Sequence, residues 1–289
     1  MLILFTDTDT DITPSEAQAF GYRLISMPYS VDGKTVYPYE DFDTFDCHAF
    51  YNTLRGGVLP TTSAISVGRY TSYFEPIFQN GDDILYVHFS AAMAMTFDCM
   101  RQAVDALLQK YPQRKFYTVD TKGITIESLN IVKEIGDLHL GGATAERILN
   151  WASREVDRFA TYFFADDLRF FHRSGRVGGL SATMGTLLGV RPIINMNDEG
   201  KMVSVGKERG RGRALERLVT EVESLGDDVK AHRLIIGHTD ALPLARQLGD
   251  MLCARLGDDL RIEYVAVNPT AGSHCGPDAV GVCFHAKHR

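Results

Sequence analysis

The sequence predicts an α/β protein of two domains. Its 289 residues suffice for two domains of ordinary size. In residues 1–158, short apolar strands alternate with helical patterns, which is typical of a parallel sheet with helices on both faces. Residues 159–289 mix helices with strands at hairpin spacing, which favours an α+β domain with a mixed or antiparallel sheet. We therefore predict an N-terminal α/β domain (1–158) and a C-terminal α+β domain (159–289).

Local patterns predict the elements of the first half. Residues 2–5 form an apolar strand, and Thr13, Pro14 and Glu16 supply the N-cap, first position and capping-box acid of a helix. An Asp-Gly pair at 32–33 predicts a hairpin between 22–31 and 34–37. Further strands are predicted at 84–89 and 116–119. Further helices are predicted at 42–54, 67–78, 126–138 and 145–157, and another helix follows the strand at 84–89 and ends at 107.

The second half is predicted in the same way. A hairpin signal at 197–200 (NDEG) separates apolar runs at 192–196 and 202–205. Further strands are predicted at 161–164, 234–237, 262–267 and 280–284, and helices at 168–172, 180–188, 213–224 and 242–256.

Composition limits the classes of partner. The formal net charge of −7 argues against nucleic acid as the main partner. No apolar run approaches the ~20 residues that span a bilayer, and residues 1–5 lack the basic start of a signal peptide. We therefore expect a cytoplasmic protein with at most transient membrane contact.

The five cysteines predict neither a disulfide framework nor a zinc site. They form no C-x-x-C pair and their number is odd. Cys275 lies beside His274, but sequence neighbours seldom have the geometry of a nucleophile and its base. No metal site is predicted.

A segment near the C-terminus is the first candidate for ligand contact. Residues 272–277 read GSHCGP and lie between two predicted strands. Flanking glycines allow close backbone approach, and His274 can both donate and accept a hydrogen bond near neutral pH. The alternative is a tight turn with an incidental histidine.

Two further segments carry small or hydroxyl side chains near predicted helix starts. Residues 60–66 (PTTSAIS) could cradle a carboxylate or phosphate, although capping by Ser66 alone explains part of the pattern. Residues 90–96 (SAAMAMT) follow a predicted strand, and their methionines suit an adaptable apolar wall or a packed helical turn.

A glycine-rich basic loop at 172–179 stands out from the acidic background. Together with basic residues of 191–213, it makes a local positive region suited to phosphate or carboxylate. A solvated surface is the alternative.

These segments, in this order, resemble the DegV family of bacterial fatty-acid-binding proteins, the lipid-presenting subunit of fatty-acid kinase. The resemblance covers nearly the full length. Its segments are 6–12 (T-D-S-x-x-D-L in the family), 62–63 (T-S of T-S-Q-P-S), 93–97 (L-S-G-T-Y), 120–121 (D-S of V-D-S), 174–177 (G-G-R-I), 189–193 (I-K-P-I), 200–201 (G-K of D-G-K) and 272–277 (G-T-H-T-G-P).

The resemblance implies a two-domain fold with an acyl chain in a tunnel between the domains. The family holds the carboxylate with a threonine, a serine and a histidine, which correspond to Thr62, Ala94 and His274. The family serine is therefore missing here, and Met95 replaces a glycine and could narrow the tunnel. The ligand-binding set implied for this chain is Thr62, Ser63, Ser90, Ala94, Met95, Thr96, His274 and Gly276.

The resemblance also implies a partner. In the family a separate ATP-dependent kinase phosphorylates the acyl carboxylate, and the basic loop lies towards it. The implied partner-binding residues are Arg173, Arg176 and Arg209. The only implied ligand is a long-chain fatty acid, with no catalytic residue and no cofactor.

Two alternatives stay open. One is a small hydrolase or phosphotransferase that uses Thr62 or Ser63 with His274, and Asp7 or Asp120 as the orienting acid. The other is a carrier of a different apolar ligand, because the residues at 64, 94 and 95 depart from the family pattern.

Overall fold

Short strands and amphipathic helices alternate along the chain, as the apolar periodicity requires. The computed structural model describes residues 1–178 and 189–289. The elements up to residue 158 are β1 (Leu2–Asp7), α1 (Pro14–Ala19), β2 (Tyr22–Ile25), β3 (Tyr29–Val31), β4 (Lys34–Val36), α2 (Cys47–Arg55), β5 (Thr61–Thr62), α3 (Val67–Gln79), β6 (Asp83–His88), α4 (Thr96–Lys110), β7 (Phe116–Asp120), α5 (Ile126–Leu140) and α6 (Ala145–Glu155). The later elements are β8 (Phe159–Phe164), α7 (Leu168–Ser174), β9 (Val177–Gly178), β10 (Val190–Met196), β11 (Met202–Arg209), α8 (Arg211–Leu225), β12 (Arg233–His238), α9 (Leu242–Leu256), β13 (Arg261–Ala266), α10 (Pro269–Cys275) and β14 (Val280–His285).

The N-terminal sheet is parallel, with the strand order β2-β1-β6-β7. Successive side chains of a strand point to opposite faces. Leu4 and Leu85 accordingly pack with α5 and α6, whereas Phe5 and Tyr86 pack with α3 and α4. The predicted parallel sheet with helices on both faces is confirmed.

The C-terminal sheet is mixed, with the strand order β13-β12-β14-β8-β10-β11-β9. Strand β12 pairs parallel with β13, and β11 with β9, while the other neighbours are antiparallel. The predicted hairpin around 197–200 is confirmed as β10 and β11. The predicted helix over 180–188 lies outside the described residues.

The first predicted hairpin was only half right. Its turn at 32–33 joins β3 and β4, but residues 22–25 form β2, which runs parallel beside β1 in the main sheet. Strand β5 adds a third strand to this hairpin. The apolar run at 22–31 therefore divides between two sheets, which its composition alone does not indicate.

Helix α5 lies between the two sheets, and its residues from Ile126 to Gly136 are buried except for the half-buried Glu134. It contacts β8, β12 and β14, and its N-terminus approaches β12 closely because residue 237 is a glycine. A Cβ there would lie 2.7 Å from Ile126 Cγ2. The domain boundary at 158 stays a prediction, since α5 contacts strands on both sides of it.

Within residues 1–178 and 189–289, no helix is long and apolar enough to cross a membrane.

Candidate ligand-binding site

A cavity of about 310 Å³ opens beyond the carboxyl ends of β1 and β6. The chain leaves these adjacent strands in opposite directions along the sheet, since β1 leads to β2 and β6 leads to β7. Such a switch point leaves a crevice at the sheet edge, which is where open α/β sheets bind ligands. The volume is at the lower end of the ~300–1,000 Å³ usual for small-molecule pockets.

The cavity wall comes from both sheets and is largely apolar. Asp9 follows β1, and Phe89 and residues 93–96 follow β6. The second sheet contributes Phe163 and two facing glycines, Gly237 and Gly281, which are register partners on β12 and β14. The apolar lining includes Met27, Phe89, Met93, Ile124, Phe163, Met196, Met202 and Val267. Methionine side chains adapt to apolar ligands of different shape, so this wall suits a flexible hydrocarbon.

Thr62 and His274 form a polar contact in this wall. A hydrogen bond of 2.9 Å joins Thr62 Oγ1 and His274 Nε2. Strand β5 places Thr62 through its pairing with Tyr29 on β3, and His274 lies in the last turn of α10. Residues 212 positions apart in the chain thus bring donor and acceptor groups together in the cavity wall.

Arg173 fixes the geometry of this pair. Its Nη1 donates to the Leu59 carbonyl (2.7 Å), and its Nη2 donates to the carbonyls of Pro60 and Ser273 (3.4 Å to the latter). One guanidinium therefore ties the segment before Thr62 to the helix that carries His274.

The segment around His274 is a short helix rather than the tight turn considered from the sequence. Asn268 caps it by accepting a hydrogen bond from the Ala271 N–H (2.9 Å), and Pro269 occupies the first position. The helix ends at Gly276, whose φ of 72° favours glycine and whose Cβ would lie 2.4 Å from the Phe170 ring. The Asn-Pro pair was the helix-start signal that the sequence analysis missed.

The environment of His274 keeps its imidazole neutral. Burial, together with the nearby guanidinium groups of Arg176 and Arg173, lowers its pKa to about 4. Its Nδ1 is buried and has no hydrogen-bond partner among the described residues. At neutral pH His274 thus presents one donor and one acceptor nitrogen, without a charge.

The described residues do not assemble the catalytic arrangement of the hydrolase alternative. Asp7 accepts hydrogen bonds from the Tyr86 hydroxyl (3.0 Å) and the Phe89 N–H (3.3 Å). Asp120 accepts from the N–H groups of Ala91 and Lys122. Neither carboxyl is bonded to His274, and a histidine with a pKa of about 4 is a weak general base.

The structure brings most of the predicted ligand-binding residues together. The cavity is lined by Thr62, Ser63, Ala94, Met95, Thr96 and His274. Thr96 is already engaged, since its hydroxyl accepts from the Ile65 N–H and bonds the Tyr70 hydroxyl. Met95 is 79% exposed, so its side chain lies at the mouth of the cavity.

Ser90 and Gly276 are not among the residues that line the cavity, and their contact with a ligand stays a prediction. The buried Ser90 hydroxyl donates to the Gly200 carbonyl (2.7 Å) and so anchors the turn between β10 and β11. Gly276 ends α10 beneath Phe170. Both residues therefore hold neighbouring segments in place without lining the cavity themselves.

The three predicted partner-binding arginines occupy different places. Arg176 is exposed at the cavity wall, and Arg173 is bonded to the backbone beside it. Arg209 ends β11, seven residues from the cavity-lining Met202, or roughly 20 Å along the strand. Their contact with a partner stays a prediction.

Sequence reasoning missed several residues of the wall. Thr125 and Thr239 line it, and so does Asp9, which was not among the predicted ligand-binding residues. Its position directly after a parallel strand was the available signal. Thr239 lies just beyond the strand predicted at 234–237 and gave no separate signal.

The fold and the cavity define a two-domain α/β protein with a largely apolar cavity. No group of His, Cys, Asp and Glu suited to a metal ion occurs within residues 1–178 and 189–289. The DegV family model matches residues 1–287, and the chain belongs to this family.

The chain is similar to related proteins over nearly its full length and nearly theirs. A DegV domain-containing protein of Clostridium perfringens is 28% identical over 287 residues, which cover 98% of this chain and 96% of that protein. The fatty acid binding DegV family protein of Streptococcus agalactiae has a TM-score of 0.83 at 24% identity, covering 100% of this chain and 99% of that one. A DegV family protein from Eubacterium eligens loaded with heptadecanoic acid has a TM-score of 0.85 at 19% identity, and the match covers 99% of this chain and 100% of that one. These likenesses confirm the predicted fold class.

Proposed function

We propose that this protein binds a long-chain fatty acid in the cavity and presents its carboxylate to a separate ATP-dependent fatty-acid kinase. The observation that carries the proposal is the combination of a largely apolar cavity with the polar pair of Thr62 and His274 in its wall. The fatty acids bound by structural relatives support the same ligand class.

The apolar wall accounts for affinity. Burying one methylene contributes ~0.8 kcal/mol, so a long chain supplies most of the binding free energy. Because Thr62 and the neutral His274 are hydrogen-bonded to each other, one of their two donors is used in that bond and the other is left to donate to a carboxylate. They therefore orient the ligand more than they retain it.

The surroundings of this pair favour delivery of the carboxylate to a partner. Arg176 places a positive charge beside His274 and is exposed to solvent. An exposed guanidinium at the cavity wall can attract an acyl carboxylate and later an acyl phosphate. The proposed compartment is the cytoplasm, where ATP is available, with no nucleic acid partner and at most transient membrane contact.

The variant His274→Ala tests this division of roles. Lipid-loaded protein is mixed with ATP and a bacterial fatty-acid kinase subunit, and acyl phosphate is trapped with hydroxylamine while bound lipid is measured separately. We expect acyl phosphate formation to fall at least about tenfold, as for the loss of an orienting hydrogen bond, with less than about threefold loss of bound lipid. Arg154→Ala, which removes an exposed arginine of α6 that does not line the cavity, is the control and should change neither.

Other results would redirect the proposal. Equal loss of lipid and of acyl phosphate would mean that His274 retains the ligand rather than presenting it. Turnover of an acyl or phosphate ester by the isolated protein, abolished by His274→Ala, would favour the hydrolase alternative instead.

A further inference from the structure

A carboxyl group lies in the wall of the apolar cavity. Asp9 follows β1, is 6% exposed and lines the cavity. Its Oδ1 is buried without a hydrogen-bond partner among the described residues. Its backbone is fixed at both ends, since its N–H donates to Asp7 Oδ1 (3.0 Å) and its carbonyl accepts from the Thr125 N–H (2.8 Å). The backbone of Asp9 is therefore fixed at the cavity wall, while Oδ1 of its side chain has no hydrogen-bond partner among the described residues.

The neighbouring carboxyls differ from Asp9 in this respect. Asp7 accepts from the Tyr86 hydroxyl and the Phe89 N–H, and Asp11 Oδ1 accepts from the backbone and side-chain nitrogens of Asn268. Neither Asp7 nor Asp11 lines the cavity. Of the three acids in this loop, Asp9 alone meets the space that a ligand would fill.

The charge state of Asp9 suits hydrogen-bond donation. Burial raises its pKa well above the usual value, and the nearby carboxyls of Asp7 and Asp11 raise it further. A protonated carboxyl has one O–H donor and an acceptor oxygen. It can therefore bond either a hydroxyl or a carbonyl oxygen of a ligand.

A plain hydrocarbon chain would leave this group without a partner. When an acyl chain fills the cavity it removes water from the wall, and a buried polar group without a hydrogen bond is costly. An oxygen on the chain at the level of Asp9 would avoid that cost. Two other polar groups of the wall have protein partners, since the Thr239 hydroxyl accepts from the Ala279 N–H and the Thr270 hydroxyl donates to the Met27 carbonyl. The Thr161 hydroxyl and His274 Nδ1 are buried without a partner among the described residues, but Asp9 is the carboxyl in this position.

We propose that the preferred ligand is an oxygenated fatty acid, with a hydroxyl or keto group along its chain that hydrogen-bonds the Asp9 side chain. This inference rests on the proposed fatty-acid binding and names the ligand class more narrowly. Asp9 is then a specificity-determining residue, separate from the Thr62 and His274 pair that meets the carboxylate.

Competitive binding to delipidated protein tests the inference. A fluorescent fatty acid is displaced by octadecanoic acid and by a series of hydroxy- and keto-octadecanoic acids that differ in the substituted carbon. We expect at least one isomer to bind about tenfold more tightly than octadecanoic acid, as for one well-placed buried hydrogen bond.

Three variants assign the preference to Asp9. Asp9→Asn keeps a donor and an acceptor and should keep most of the preference. Asp9→Leu should abolish it and tighten binding of octadecanoic acid. Thr161→Val removes a different cavity hydroxyl, on β8, and should leave the preference unchanged.

The outcomes separate the two proposals. If wild-type protein binds octadecanoic acid but prefers no oxygenated isomer, the Asp9 inference fails and the fatty-acid function stands. A preference that survives in Asp9→Leu also overturns it. If wild-type protein binds no fatty acid of either kind, both proposals fail. The wild-type comparison needs no variant to fold.

Discussion

At the scale of single residues, His274 shows how the surroundings set the state of a functional group. Desolvation and two adjacent guanidinium groups hold its pKa near 4, so it is neutral at physiological pH. Because this pKa lies below the value of about 6.5 for an unfolded chain, the neutral histidine favours the folded state above that pH. This contribution is lost as the pH falls from about 6.5 to about 4.

Arg173→Ala is expected to raise the pKa of His274 towards its ordinary value of about 6.5, because it removes a positive charge and lets water approach. A pH titration followed by NMR of the histidine ring protons measures the pKa of His274. Arg209→Ala is the matched control. An unchanged His274 pKa in Arg173→Ala, or an equal rise in both variants, would refute the assigned electrostatics.

Ala94 is the position where the family serine is missing, and it lines the cavity. We expect Ala94→Ser to tighten binding of a fatty acid by up to about tenfold, since it restores one hydroxyl near the carboxylate. Isothermal titration with delipidated protein measures the change, and Ala94→Val controls for added volume. If the serine variant binds no tighter than the valine variant, the carboxylate lies elsewhere.

At the scale of elements, α10 depends on a contact with the loop after β1. Asn268 caps the helix and donates from its backbone and side chain to Asp11 Oδ1, at 2.8 and 2.7 Å. Burial raises the pKa of Asp11 to about 7, against the opposing effect of these hydrogen bonds. The position of His274 therefore rests on a carboxyl that titrates near neutral pH.

Asp11→Asn is expected to stabilise the protein by about 1 to 3 kcal/mol at pH 8 and to have little effect at pH 4. A raised carboxyl pKa favours folding at low pH, and this advantage is lost as the pH rises from about 4 through about 7. Asparagine keeps an acceptor oxygen and tolerates the φ of 58° at this position. Urea unfolding at pH 8 and at pH 4 measures the change in the free energy of unfolding. Equal changes at the two pH values would contradict the raised pKa of Asp11.

Local signals predicted most elements but not their pairing. The Thr13, Pro14 and Glu16 pattern gave the start of α1, where both halves of the capping box form. By contrast, the strands at 22–25 and 29–31 belong to different sheets because of partners distant in sequence. Periodicity reports which side chains are buried, and it does not report which strand lies alongside.

At the scale of the whole molecule, the site exists because two sheets meet across α5. The resemblance implied that Thr62 and His274 hold the carboxylate, and the structure places them 2.9 Å apart although they are 212 positions apart in the chain. It did not indicate Asp9, or the facing pair of Gly237 and Gly281, because their place in the wall arises only when the second sheet packs over the first. The contribution of these three residues to the cavity wall therefore required the structure.

The central claim is that the cavity holds a fatty acid. Native mass spectrometry of the purified protein, followed by extraction and identification of the bound molecule, tests it most directly. We expect one fatty acid per chain, either carried through purification or taken up when added. A protein that is empty and takes up neither plain nor oxygenated fatty acids would contradict the claim.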